Sequence, residues 1–234
     1  MKKYLKTPRV LRRATLLAML PVFFLAGCGQ KTECEKSIDT AMGTVISQTV
    51  YVTGNSATTT NSKIHEKITD VLLQKLNDLE QKELSWRLES AEVARINAVA
   101  GEGQTSVSPA MAEWLGRCRQ ISEESAGAFD VSIGRLSRLW DIDTWAAAGD
   151  SGDYELPRQE EIAEALATTG WQKIQLEQQA DGDSVSIPAE MQLDLGAVGK
   201  GVALDEILKT LEAHPEVSLS LIHISEPTRR VVIS

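Results

Sequence analysis

The stretch Leu193-Asp194-Leu195-Gly196-Ala197-Val198-Gly199-Lys200-Gly201 decides how this chain is read. It opens apolar, as a buried strand does, and then sets three glycines and one lysine within six residues. Val202, Leu204, Ile207, Leu208 and Leu211 follow at helical spacing. The pattern predicts a strand, a glycine turn and a helix. Glycine lets backbone N–H groups approach a ligand closely, and a helix N-terminus favours anions. Lys200 adds a cation there, and Asp194 places a carboxylate at the strand end, where it can order a ligand or a metal shell. An ordinary strand-to-helix turn with a solvated lysine fits the same residues. Two phosphate motifs do not fit. A P-loop needs a glycine five residues before its Gly-Lys, and here Asp194 stands five before Gly199. The dinucleotide fingerprint puts its close glycine pair first, whereas Gly199 and Gly201 come last.

On either side the chain alternates short strands and amphipathic helices. Thr40 to Val50 reads as a strand. Ile64, Ile68, Val71, Leu72, Leu76 and Leu79 mark one face of a helix. Ser108 and Pro109 open a second helix as N-cap and first helical residue. Met111, Leu115, Cys118 and Ile121 form its buried stripe, and Gly127 ends it. A third helix follows Pro157, with Ile162 and Leu166 inward and Gly170 as its stop. Ile174-Gln175-Leu176 and Ser184-Val185-Ser186-Ile187 predict a hairpin across Ala180-Asp181-Gly182-Asp183. Gly54–Ser62 and Ala146–Tyr154 read as polar loops. The expected class is α+β, with helices packed on a largely antiparallel sheet.

The N-terminus reads as a targeting segment. Lys2, Lys3, Lys6, Arg9, Arg12 and Arg13 precede an apolar core, Leu16–Ala26, too short to span a bilayer as a mature helix. It ends in Leu25-Ala26-Gly27-Cys28, which resembles a bacterial lipobox. That resemblance implies cleavage before Cys28 and its lipidation, hence a membrane-anchored protein on the extracytoplasmic face. A plain secretory signal is the other reading. Six of the 24 basic residues precede Cys28 and none of the 33 acidic ones do, so the chain from Cys28 carries a formal charge of −15. Such acidity argues against nucleic acid and against adhesion to an anionic membrane surface, and leaves membrane contact to the lipid.

Cys34 and Cys118 remain after Cys28, with no Cys/His spacing for zinc. Cys118 reads as a small core residue, and pairing of the two stays open. His65, His214 and His223 form no triad or metal spacing and read as structural or surface residues.

Four ordered stretches carry a family resemblance. They are Thr40-Ala41-Met42-Gly43-Thr44; Glu83–Arg87 with Ser90–Asn97; Ser125–Leu136 with Leu139-Trp140; and Leu193–Gly201 with Val202–Asp205. Together they resemble the ApbE family of FAD:protein FMN transferases. The G-A-F-D and L-D-L-G-x-x-x-K-G motifs are specific as an ordered pair. The resemblance implies cleavage of FAD and attachment of FMN through a phosphoester to a threonine or serine of an acceptor protein. AMP would leave, and magnesium would neutralise phosphate charge. The acceptor implied is a subunit of a membrane redox complex.

By the same resemblance, Met42 packs on a ring of bound FAD, although a core methionine in a strand reads equally well. Ala128, Phe129 and Asp130 match the FAD-contacting turn; as a plain residue, Asp130 would cap the next turn. Asp194 and Lys200 match FAD contacts. Ala197 matches a position whose backbone carbonyl ligates magnesium, a hard-oxygen contact that suits this ion. Arg87, beside Trp86, stands where many members place a tyrosine against FAD. No catalytic residue is assigned.

The implied organisation is a leader over 1–27, a tether over 28–36, an ApbE-like domain over 37–217 that is incomplete at its C-terminus, and a tail over 218–234 outside the resemblance. The family's later metal-binding Asp and Thr residues, and a histidine near the reacting phosphate, have no match in that tail. Low turnover is therefore expected of the chain as it stands. A non-catalytic flavin-binding lipoprotein and an FAD pyrophosphatase are the competing functions.

Overall fold

A computed structural model describes residues 31–54, 58–148, 154–179 and 182–225. The basic leader and Cys28 lie outside them, as do 149–153 and the first half of the expected 180–183 turn.

β1 (Lys31–Ala41) and β2 (Thr44–Gly54) form an antiparallel hairpin closed by Met42-Gly43. The single strand expected over Thr40–Val50 is therefore two strands meeting at a turn. Met42 and Gly43 both take positive φ, 54° and 67°, the hand that lets a two-residue turn join right-twisted strands. The tether expected over 28–36 is strand from Lys31 onward, because Lys31 already pairs with Gly54. The stretch expected as a tail also folds into the sheet. β6 (Val217–Ser225) pairs with β2, giving the order β1-β2-β6. Its alternation turns Ile222 and Ile224 toward the core and leaves Leu219 and Leu221 exposed.

α1 (Thr58–Asp78) covers this sheet and begins inside the run expected as a loop. Ile68, Leu72 and Leu76 are buried in one core with Ile46, Val50 and Val52 of β2, while Val71 stays at the rim. A π-helical turn, Leu79–Leu84, prolongs α1. α2 (Glu92–Ala98) and β3 (Thr105–Val107) follow. α3 (Pro109–Glu124) starts as its cap signal predicts, the Ser108 hydroxyl accepting the Met111 N–H at 3.1 Å. Met111, Leu115 and Cys118 are buried as expected, but Ile121 points out, and Ser122 is buried with its hydroxyl donating to the Cys118 carbonyl.

α4 (Gly134–Trp140) and α5 (Ile142–Ala148) come next, the second reaching into the expected Ala146–Tyr154 loop. In α6 (Gln159–Ala167), Ala165 rather than Leu166 is the buried residue. The expected hairpin forms as β4 (Gln175–Gln179) and β5 (Gly182–Ser186), with β3 on its other side in the order β3-β5-β4. All paired strands are antiparallel, and helices cover them as the α+β reading requires.

The glycine stretch departs most from expectation. No strand precedes the glycines; one parallel bridge joins Gln192 to Ile133. α7 (Gly196–Glu212) contains all three glycines. The Asn97 side chain stands in for a strand neighbour: it accepts the Leu193 N–H at 2.7 Å and donates to the Leu193 carbonyl at 2.9 Å. Among the described residues no helix is long and apolar enough to cross a membrane.

Candidate functional site

Three segments far apart in sequence converge beside the first turn of α7. The β1–β2 turn contributes Met42. The π-helical turn and the residues after it contribute Glu80, Leu84, Trp86 and Arg87. The start of α7 contributes Asp194, Gly199 and Lys200. These line a depression of about 110 Å³. A larger one, about 440 Å³, shares Trp86, Arg87 and Asp194 and adds Ser137, Arg138, Asp141 and Ile142. Met42, Arg87, Asp194 and Lys200 are thus brought together.

Local bonding fixes each of them. The Met42 N–H donates to Glu80 Oε2 at 2.7 Å. Gly199 lies under Met42: a Cβ built there would stand 3.6 Å from Met42 Cε and 3.8 Å from a Leu84 methyl. The Asp194 N–H donates to the Val131 carbonyl at 2.8 Å, and Asp194 Oδ1 accepts the Gly196 N–H at 2.7 Å. The Arg87 guanidinium lies 4.1 Å from the centre of the Trp86 ring and pairs with Asp143 at 2.6 Å. Outside the cleft lining, burial pushes the Glu83 carboxyl above its ordinary value, opposed by the charge of Lys75.

Ala128, Phe129 and Asp130 form a turn behind this cleft and are not part of its lining. Ala126 and Gly127 both take positive φ, which reverses the chain after α3. Phe129 packs on the core. Asp130 is spent on the protein itself. Its Oδ1 accepts the Ser132 N–H at 2.8 Å and the Ser132 hydroxyl at 2.6 Å; Oδ2 accepts the Trp171 N–H at 3.0 Å. Ser132 Oγ in turn accepts the Gly170 N–H at 2.7 Å. The carboxylate clamps two turns whose residues lie about forty apart, which goes well beyond a local cap.

Ala197 is carried away from the cleft. It lines a separate groove of about 600 Å³ between α3 and α7, with Trp114, Arg117, Val198 and Leu208. Among the described residues no three His, Cys, Asp or Glu side chains are grouped to hold a metal. Magnesium needs about six oxygens at near-octahedral geometry, so these residues do not by themselves build a magnesium site. Cys34 is exposed and Cys118 buried, both as free thiols.

Sequence reasoning gave no individual role to Glu80, Asn97, Gly134 or Arg138. Gly134 is the most restricted of these. A Cβ there would meet the Gln192 carbonyl oxygen at 2.7 Å, and its N–H donates to that same oxygen at 2.8 Å. The segments that follow G-A-F-D and lead into L-D-L-G therefore meet backbone to backbone, here and where the Asp194 N–H donates to the Val131 carbonyl.

Comparisons with known proteins bear on the family and the fold. A protein named FAD:protein FMN transferase from Treponema pallidum is 33% identical over 145 residues, 58% of this chain and 37% of that protein. One of the same name from Haemophilus influenzae is 26% identical over 84% of this chain and 54% of its own length. The chain thus spans about half the length, or less, of the curated relatives it matches. A crystal structure of the ApbE protein of Thermotoga maritima superposes with a TM-score of 0.66 at 23% identity, over 82% of this chain and 57% of that one. Apo Pseudomonas stutzeri flavinyl transferase ApbE gives 0.66 at 25% identity, over 83% and 57%. The ApbE family model matches residues 42–226, and so takes in the whole of β6. With four-fifths of its length inside that match and the same fold, the chain belongs to the ApbE family.

Proposed function

We propose that this chain binds FAD in the cleft between the Met42 turn and α7, and that it acts as a flavin transferase. The acceptor hydroxyl of a threonine or serine forms a bond to the FMN phosphorus as the pyrophosphate bond breaks and AMP leaves. The acceptor is a protein, taken here as a subunit of a membrane redox complex. The convergence of Met42, Trp86-Arg87, Asp194 and Lys200 on one cleft is the observation that carries this reading. It joins an apolar contact and an aromatic ring to cations beside a carboxylate, a set that suits a flavin nucleotide. Magnesium dependence rests on the family likeness, with the Ala197 carbonyl as the ligand carried over. Lipidation of Cys28 on the extracytoplasmic face rests on the Leu25–Cys28 motif.

Flavin fluorescence titration with and without magnesium tests binding. Incubation with FAD, magnesium and a threonine-containing acceptor then separates the alternatives. Covalent flavin together with AMP supports the transferase. AMP without covalent flavin points to a pyrophosphatase, and FAD binding with neither product to a flavin-binding lipoprotein. Absence of FAD binding overturns the reading. For the anchor, Cys28→Ala is expected to release the processed protein from the membrane fraction.

A further inference from the structure

We propose that Arg138 is a binding residue for the phosphate chain of the flavin nucleotide. The inference rests on the FAD reading above and assigns a contact that neither motif contains. Arg138 sits in the last turn of α4, whose first residue, Gly134, is bonded to Gln192. Asp194 is bonded to Val131 just before that helix. Arg138 and Asp194 are therefore held in fixed register on either side of the larger part of the cleft.

The other arginines nearby are occupied. Arg87 pairs with Asp143 at 2.6 Å, and Arg135 with Glu190 at 3.2 Å. Arg138 has no carboxylate partner among the described residues, although Asp141 and Asp194 line the same cleft. Its guanidinium lies 4.9 Å from the centre of the Trp86 ring, and Nη2 makes one long contact, 3.5 Å, to the Trp86 carbonyl. Stacking on an aromatic ring fixes the guanidinium plane while leaving most of its five donors unused. A planar fork of that kind matches two phosphate oxygens at once and suits phosphate better than a lysine would. In a chain with a net charge of −9, a guanidinium that faces two aspartates and pairs with neither is a specific place for an anion.

The test compares FAD, FMN and riboflavin, which share the ring system but carry a pyrophosphate, a single phosphate and none, on wild-type chain, Arg138→Gln and Arg138→Lys. Circular dichroism confirms that each variant is folded. Arg138→Gln is expected to weaken FAD and FMN by about tenfold or more and to leave riboflavin unchanged. Arg138→Lys, which keeps the charge but not the fork, falls between. Equal weakening of riboflavin overturns the proposal, because Arg138 would then act only through Trp86. Unchanged FAD affinity in Arg138→Gln also overturns it, and an accompanying loss of acceptor affinity would move the residue to the acceptor. Failure of the wild-type chain to bind FAD sinks the parent reading instead, so the two failures are distinct.

Discussion

Glu80 Oε2 accepts the Met42 N–H at 2.7 Å across 38 residues of chain. Met42 is held there at φ 54°, a conformation that costs a non-glycine residue about 1–3 kcal/mol and persists only where the surroundings impose it. The imposing group projects from a π-helical turn, a local widening found often at functional sites. Glu80 is thus a positioning residue for Met42. Glu80→Ala is expected to destabilise the chain by about 1–3 kcal/mol, leaving the Met42 N–H without its partner. Glu80→Gln keeps an acceptor oxygen and is expected to restore most of that loss. Thermal unfolding with a parallel FAD titration checks both; equal behaviour of Gln and Ala would show that charge, not the acceptor, matters.

Asp130 bonds three donors of its own chain, so its loss is expected to appear first as instability. Asp130→Ala is expected to lower unfolding free energy by about 1.5–3 kcal/mol, the range for hydrogen bonds to a charged group. Asp194→Ala, which frees only the Gly196 N–H, is expected to weaken FAD more and stability less. Urea unfolding and calorimetry of both variants decide this. Undiminished stability with lost FAD binding in Asp130→Ala would make that carboxylate a direct ligand contact.

Gly134 and Gly199 are expected to respond in opposite directions to alanine. At Gly134 the new methyl meets backbone at 2.7 and 2.8 Å, and crowding of that kind costs about 1–3 kcal/mol. At Gly199, inside α7, the nearest atom is 3.6 Å away. Alanine there fits and is expected to gain about 0.5–1 kcal/mol of helix stability. Melting temperatures measured side by side would refute this if both variants moved the same way.

Burial pushes the Cys118 thiol up to about 11. Below pH 9 both folded and unfolded chains keep this thiol protonated, and the core site is at its most favourable. As pH rises from about 9 to about 11 the unfolded chain ionises first, so stability is lost across that window, by about 2–3 kcal/mol in total. The difference between wild type and Cys118→Ala in urea unfolding isolates this contribution. At pH 8 exposed Cys34 is expected to alkylate in the native chain, and Cys118 only after unfolding, as mass spectrometry of labelled peptides will show.

What could be read from the sequence followed local chemistry. Ser108-Pro109 announced the start of α3 because cap and first residue act within one turn. The β4–β5 hairpin was legible from two apolar runs across a Gly/Asp turn. The four ordered stretches disclosed the family and four residues of the cleft. What stayed hidden depends on contacts between distant segments. Methionine is a poor signal for positive φ, so the Met42-Gly43 turn looked like continuous strand until Glu80 was seen beneath it. Leu193 looked like a strand residue because nothing local says that Asn97, 96 residues earlier, takes a partner strand's place. Asp130 carried no mark of Trp171, nor Arg138 of Trp86, and Leu166 and Ile121 fitted a helical stripe whose edge fell one residue away.

The central place of β2 has a consequence for how the molecule is made. β2 leaves the ribosome well before one of its two neighbours, β6; the Ser218 hydroxyl reaches the Tyr51 carbonyl across 167 residues. During synthesis the β1–β2 hairpin must wait with one edge unsatisfied while every other described element emerges. Pairing over such a span closes slowly, because loop entropy is lost before contacts form to offset it. An open edge of this kind is also where chains join one another. Holding the nascent chain unfolded until β6 is available would shorten that exposure, so yield is expected to depend more on the rate of delivery and on chaperones than on the stability of the finished fold.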